Sequence, residues 1–384
     1  MGDGESGGIG RMGLAPVGRG GVYRIAWWVL AFIVASALPA AGQDASTQIK
    51  TQIERLQQSL KDKPVSDPNL PNVDSTIGGW LKEASEALSA GRIYMSLEKL
   101  RGATDLLSGV RNLIDKGETV KSSLPAFESE WKKASLDLTA LDQEARGRNW
   151  NNAPLAIRAL SEGAQGKAQP LLEGGRGFAT STQPKDGLFY LGEAKGEAEF
   201  AKFCASLRFP RKTEAFPLRS LLPELRNLQE KTNAAFQPPR SIELHTQFVM
   251  LNGTLNLAQE LDAERFYAGS LHQYLEAVRH YGMLDAVELD AARQSALKES
   301  LSAQRKKLDA SKRDDSIVQL FLERAESQVS HADGSAPSSD DLRSAQVIVE
   351  RVLPAYFAAM KPASPLQQAA GKTIDLTLVR WPYT

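Results

Sequence analysis

The chain has 384 residues, 42% of them hydrophobic, with 46 basic residues against 46 acidic ones and a single cysteine. Such a balance leaves no electrostatic footprint for nucleic acid, whose binding rests on neutralising phosphates. One cysteine excludes an intramolecular disulfide, and the chain is long enough for one large helical domain or two smaller ones.

Residues 1–42 read as an export signal. Arg19 and Arg24 precede the apolar run Ile25–Leu38, Pro39 breaks it, and Ala40-Ala41-Gly42 supplies small residues for cleavage before Gln43. The run is shorter than the roughly 20 apolar residues of a membrane span. An uncleaved signal would make this segment an N-terminal anchor, the only membrane contact expected. Removing Arg11, Arg19, Arg24, Asp3 and Glu5 with it leaves 43 basic residues against 44 acidic ones.

Helical spacing governs the rest. Residues 43–62 predict an N-terminal helix, and Pro64, Pro68 and Pro71 make 63–75 a linker with Ser75 as cap of the next helix. Residues 76–361 predict a helical-hairpin domain. Phe127, Trp131, Ala134, Leu138, Leu141 and Ala145 alternate steps of four and three. Leu244, Phe248, Leu251, Leu255 and Ala258 do the same, as do Leu342, Ala345, Val349, Val352 and Tyr356. Each stripe needs a partner helix. Asn151 or Asn152 is expected to cap the helix entered at Pro154, and Gly174–Gly177 to mark a helix end or kink. A sub-boundary is expected near 209–217, a helix start at Pro238-Pro239, and a cap at Ser338 or Ser339 after the loop 331–339. Residues 362–384 predict a tail in which Ile374, Leu376 and Leu378 alternate with polar residues as a strand, ending in Trp381-Pro382-Tyr383.

Two stretches are mutually similar. Trp80, Ala84, Gly91, Ser96, Leu100 and Ala103 outline a helix, a tight turn and a second helix. Ala258, Glu264, Ser270, Tyr274 and Ala277 outline another, read with one extra residue in its turn. Both resemble the tetratricopeptide-repeat hairpin, although Ser108 stands where that family closes its repeat with proline. The resemblance implies stacked antiparallel hairpins, an α-solenoid or bundle, whose concave face binds a peptide or protein.

The chemistry-bearing residues are sparse. His272, Glu276 and His280 fall at steps of four on one helix, so adjacent members are candidates for a metal pair. All three span about 12 Å of helix, too far for one ion, and hydrogen bonding between helices accounts for them without a metal. No HExxH pattern is present. Ser96-Lys99, Ser129-Lys132 and Ser295-Lys298 show the serine–lysine spacing of penicillin-recognising enzymes, but three copies in ordinary helices, with no Lys-Thr-Gly, read as coincidence. Cys204, among Phe200, Phe203 and Leu207, reads as a buried small hydrophobe.

The expectation is therefore an all-α, non-enzymatic scaffold or interaction protein of the bacterial cell envelope, without a cofactor. Tyr267, Tyr274, Tyr281, Leu376, Leu378 and Trp381 are its candidate partner-binding residues. The alternative is a periplasmic ligand-binding or sensory module with a pocket at the three tyrosines and His272 or His280, ahead of a cell-wall enzyme built on paired carboxylates such as Glu193, Glu197 and Glu199.

Overall fold

A computed structural model describes residues 44–65, 70–147, 150, 152–209, 218–311, 313–330 and 336–361. The expected export signal, the expected C-terminal strand with Leu376, Leu378 and Trp381, and the loop 210–217 lie outside the described residues. What is described is all-α, without a strand. In chain order the helices are α1 (Ala45–Asp62), α2 (Val73–Ser89), α3 (Ile93–Val120), α4 (Leu124–Arg146), α5 (Leu155–Ser181) and α6 (Pro184–Ser206). They continue with α7 (Leu222–Ala235), the single turn α8 (Arg240–Glu243), α9 (His245–Ala263), α10 (Tyr267–Met283), α11 (Ala291–Asp309), α12 (Ser316–Val329) and α13 (Ser339–Val347). A π turn over Ile348–Val352 then leads into α14 (Leu353–Ala359).

The predicted stripes face the core. Phe127 and Leu138 of α4 are buried, as are Phe248, Leu251, Leu255 and Ala258 of α9. The first helix packs on the body, since Ile49 and Ile53 are buried in the same cluster as Ile77 and Leu97. In the last stripe, Pro354 has no N–H to return to the carbonyl of Glu350. The chain takes up a π turn just before it, with the Leu353 N–H donating to the Ile348 carbonyl.

The similarity between the two hairpins is realised in hydrogen bonds. In α2–α3 the Ser96 hydroxyl donates to the Ala84 carbonyl at 2.7 Å, and in α9–α10 the Ser270 hydroxyl donates to the Ala258 carbonyl at 2.9 Å. The turns match as well. Arg92 N–H donates to Ala87 O and Phe266 N–H to Leu261 O, both at 2.8 Å, around left-handed residues Gly91 (φ 73°) and Arg265 (φ 65°). The extra residue expected in the second turn is absent, because both serines lie twelve residues beyond their acceptors.

A second pair of matching helices, α5 and α12, crosses over between these hairpins. Glu323 of α12 accepts the Tyr94 and Met95 N–H groups, each at 3.0 Å, in the first turn of α3. Glu162 of α5 accepts the Gly269 N–H at 2.9 Å in the first turn of α10. Each carboxylate is steadied from four residues earlier, Glu323 by the Gln319 amide and Glu162 by the Arg158 guanidinium. The first turn of a helix carries amides with no partner in their own helix and the positive end of its dipole, so a carboxylate placed there answers both.

Three local expectations give way to tertiary contacts. Asn151 lies outside the described residues, and Asn152 does not cap α5, whose N-cap position is Pro154. Its amides at Leu155 and Ala156 instead donate to Asp314 (2.7 Å) and the Ser316 hydroxyl (2.9 Å). Ser75 lies inside α2, which begins at Val73, and its hydroxyl donates to the Asn72 carbonyl. Gly174–Gly177 does not end a helix but runs through α5. Gly175 is needed for close packing, since a Cβ on it would stand 3.0 Å from the Gly187 carbonyl of α6. Ser338 does cap α13, in a reciprocal box with Asp341.

Candidate functional site

Glycine also sets the distance between α6 and α3. A Cβ on Gly192 would lie 2.3 Å from the Ser108 carbonyl, and one on Gly196 would lie 3.0 Å from Asp105 Cα. That approach presses Glu197 into the core at 0% exposure, against Arg101. The guanidinium holds both of its oxygens, at 2.6 and 2.9 Å, and Lys167 of α5 adds a contact at 2.7 Å. Burial works against ionisation of Glu197, but the cations at Arg101 and Lys167 prevail and keep it below the usual carboxylate range. Burial, and then the neighbouring Glu197, push Asp105 well above that range. Two carboxyl groups driven apart in this way can serve acid–base chemistry. Here both are buried, so the group clamps α3 to α5 and α6.

A second charged cluster joins the two hairpins. Arg324 of α12 donates to both Glu98 of α3 and Glu276 of α10, while Arg279 Nε donates to the other oxygen of Glu276 at 2.9 Å. Burial disfavours the charge on Glu276, yet Arg324 and Arg279 hold its carboxyl well below the ordinary range. Burial lowers the pKa of His272 more than Glu276 and Glu98 raise it, so the ring is neutral at pH 7. Its Nε2 lies 3.9 Å from Glu98 Oε1 and 3.8 Å from Glu276 Oε1 and has no hydrogen-bond partner.

The structure thus brings His272 and Glu276 together but completes the set with Glu98 rather than His280. His280 sits in the last turn of α10, half-buried, 3.4 Å from the Arg279 guanidinium. Glu98 and Arg324 escaped the sequence reading. Glu98 occupies in the first hairpin the place of His272 in the second, so extending the alignment of the hairpins by two residues past Ser96 and Ser270 would have paired them.

The candidate binding site is a cleft of about 520 Å³ among α4, α5, α6 and the α9–α10 turn. Its floor is apolar, with Leu138, Ala168, Ala198, Ala201 and Leu261 all buried. Its wall carries four carboxylates, Asp142, Glu173, Glu260 and Glu264, against one guanidinium, Arg146. Arg146 is already engaged: its Nε donates to Asp142 at 2.7 Å, its Nη2 to Glu264 at 2.5 Å, and it lies 4.6 Å from the Phe266 ring centre. Partial burial and then the adjacent Glu264 raise the pKa of Glu260. Pro170 adds a further acceptor. Lacking an N–H, it leaves the Gly166 carbonyl without its usual donor four residues on, and both residues line the cleft.

Tyr267, Tyr274 and Tyr281 do not line this cleft. Tyr274 and Tyr281 are partly buried against the main core, and Tyr267 is partly buried at the start of α10. Cys204 is buried, as its apolar neighbours imply. No helix among the described residues is long and apolar enough to cross a membrane. Comparison with family models, with curated proteins and with solved structures finds no match for this chain.

Proposed function

We propose that this is an exported, non-enzymatic interaction protein of the bacterial cell envelope, built on tetratricopeptide-like hairpins, whose cleft holds a basic, amphipathic segment of a partner protein. The observation that carries this reading is the cleft wall, rich in acceptors over an apolar floor. Its four carboxylates face one guanidinium that is already paired. A lysine or arginine side chain suits such a site: its aliphatic stem covers the floor and its charged head reaches the carboxylates. The run Ile25–Leu38 with its small-residue end supports export.

The test is fluorescence anisotropy with two labelled peptides of equal length, one alternating lysine and leucine, the other glutamate and leucine. The basic peptide should bind, and more weakly as salt rises. Glu173→Gln with Glu260→Gln should weaken it about tenfold, the sum of two partly exposed charge contacts. Equal binding of the acidic peptide, or no effect of the double substitution, would remove the cleft from the reading.

A further inference from the structure

Glu98 comes from α3, and His272 and Glu276 from α10, so the cluster forms only when the two hairpins meet. One donor atom from each lies within 4.8 Å of the other two. The 3.8 and 3.9 Å separations around His272 Nε2 are too long for hydrogen bonds. A buried nitrogen left in this way is costly, and it points at two carboxylates.

We propose that Glu98, His272 and Glu276 form a binding site for a divalent transition metal of the zinc type, with the Arg324 guanidinium as the cation that competes for it. A neutral imidazole and two carboxylate oxygens are donors that zinc accepts, leaving a fourth position open. With ligand distances of about 2.0–2.1 Å, tetrahedral neighbours stand about 3.4 Å apart. The three donor atoms, within 4.8 Å of one another, reach that spacing by rotation of the two glutamate side chains toward Nε2.

The surroundings fit the assignment. Arg279 keeps hold of the other oxygen of Glu276, orienting it from outside. The Gln273 side-chain amide lies 3.4 Å from Nδ1. With its oxygen turned to the ring it accepts Nδ1–H, which leaves the Nε2 lone pair for the ion. Arg324 donates to the same two oxygens that would ligate the metal, so one cation stands where another would. Its side chain retains 21% exposure. Glu98 and Glu276 are already balanced by Arg324 and Arg279, so the ion binds by exchange rather than by filling an uncompensated charge.

The test is titration of the full chain with Co²⁺, followed by its visible d–d absorption, and with Zn²⁺ by calorimetry. One tetrahedral-type cobalt site is expected, at least tenfold weaker in His272→Gln and in Glu98→Gln. In Arg324→Met, where the competitor is gone, binding should tighten at least tenfold, an effect that a purely structural cluster would not give. The same variant should melt lower than wild type and recover on adding Zn²⁺, because an ion that binds only the folded state stabilises it. That measurement decides the matter even where a ligand variant fails to fold. Absence of a cobalt band in both wild type and Arg324→Met overturns the proposal, and so does a band that Glu98→Gln leaves unchanged.

Discussion

Replacing Glu323 by Gln should flatten part of the pH dependence of stability. In the fold this carboxylate accepts the first amides of α3, and burial, opposed by the Met95 N–H and then by Gln319, raises its pKa from the ordinary 4.5 to about 7. The folded chain then holds a proton that the unfolded chain has already released. The contribution of Glu323 to stability is complete below pH 4.5 and is lost as the pH rises through 7. The displacement corresponds to on the order of 3 kcal/mol. At roughly 2 °C per kcal/mol for a domain of this size, that is about 6 °C in Tm. Glutamine keeps an oxygen for the amides and does not titrate. Urea unfolding followed by circular dichroism, at pH 5 and pH 8, measures both proteins. Every other titrating group is common to the two, so the difference between them isolates residue 323. Relative to wild type, Glu323→Gln should gain on the order of 3 kcal/mol between pH 5 and pH 8. Parallel profiles would refute the assignment of a buried, proton-holding cap.

Arg101→Met leaves Glu197 buried beside Asp105 with Lys167 as its remaining cation. It should cost about 3–5 kcal/mol in urea unfolding, whereas the double substitution with Glu197→Met should cost clearly less than the single one. Gly192→Ala drives a methyl group to within 2.3 Å of the Ser108 carbonyl and should lower stability by about 3 kcal/mol. Gly253→Ala, in an exposed part of α9 with open space around it, should raise it by about 0.5–1 kcal/mol. Burial pushes the Cys204 thiol far above its ordinary range, so iodoacetamide should alkylate it only in denaturant. Rapid labelling of the native chain at pH 8, seen by mass spectrometry, would contradict its burial.

Residue spacing makes the helices legible because burial against one neighbour imposes a period on the sequence, as the stripes of α4 and α9 show. The paired hairpins were visible for a similar reason. Ser96 and Ser270 bond to Ala84 and Ala258 within a span of twelve residues, short enough to leave its mark on a local motif. Caps behaved differently. Rules for helix starts look one to three residues upstream, and they succeed at Ser338, whose partner is Asp341. They fail at α5, where Asp314 and Ser316 do the capping, and they pass over Glu162 and Glu323 altogether. The cleft was illegible for the same reason. Asp142, Glu173 and Glu260 come from three helices and Glu264 from the α9–α10 turn, and no period connects them. His272 and Glu276 could be paired by helical spacing, but only the fold supplies Arg324.

The crossed carboxylates also govern when the chain can fold. A chain synthesised from its N-terminus exposes the amides of Tyr94 and Met95 long before Glu323, more than 200 residues downstream, has been made. Ordering that depends on contacts so remote in sequence is slow, because the intervening loop must close before the contact gives anything back. A fragment that stops short of α12 keeps Glu162 but lacks the helix whose amides it should meet, unless it extends as far as α10. A fragment of α1–α6 alone has a carboxylate and a helix start that are counterparts of a crossed pair, each lacking its opposite number. A second copy of the fragment supplies neither of them, because Glu323 and the start of α10 both lie beyond Ser206. The arrangement that knits one chain together therefore cannot be completed by any number of half chains of this kind.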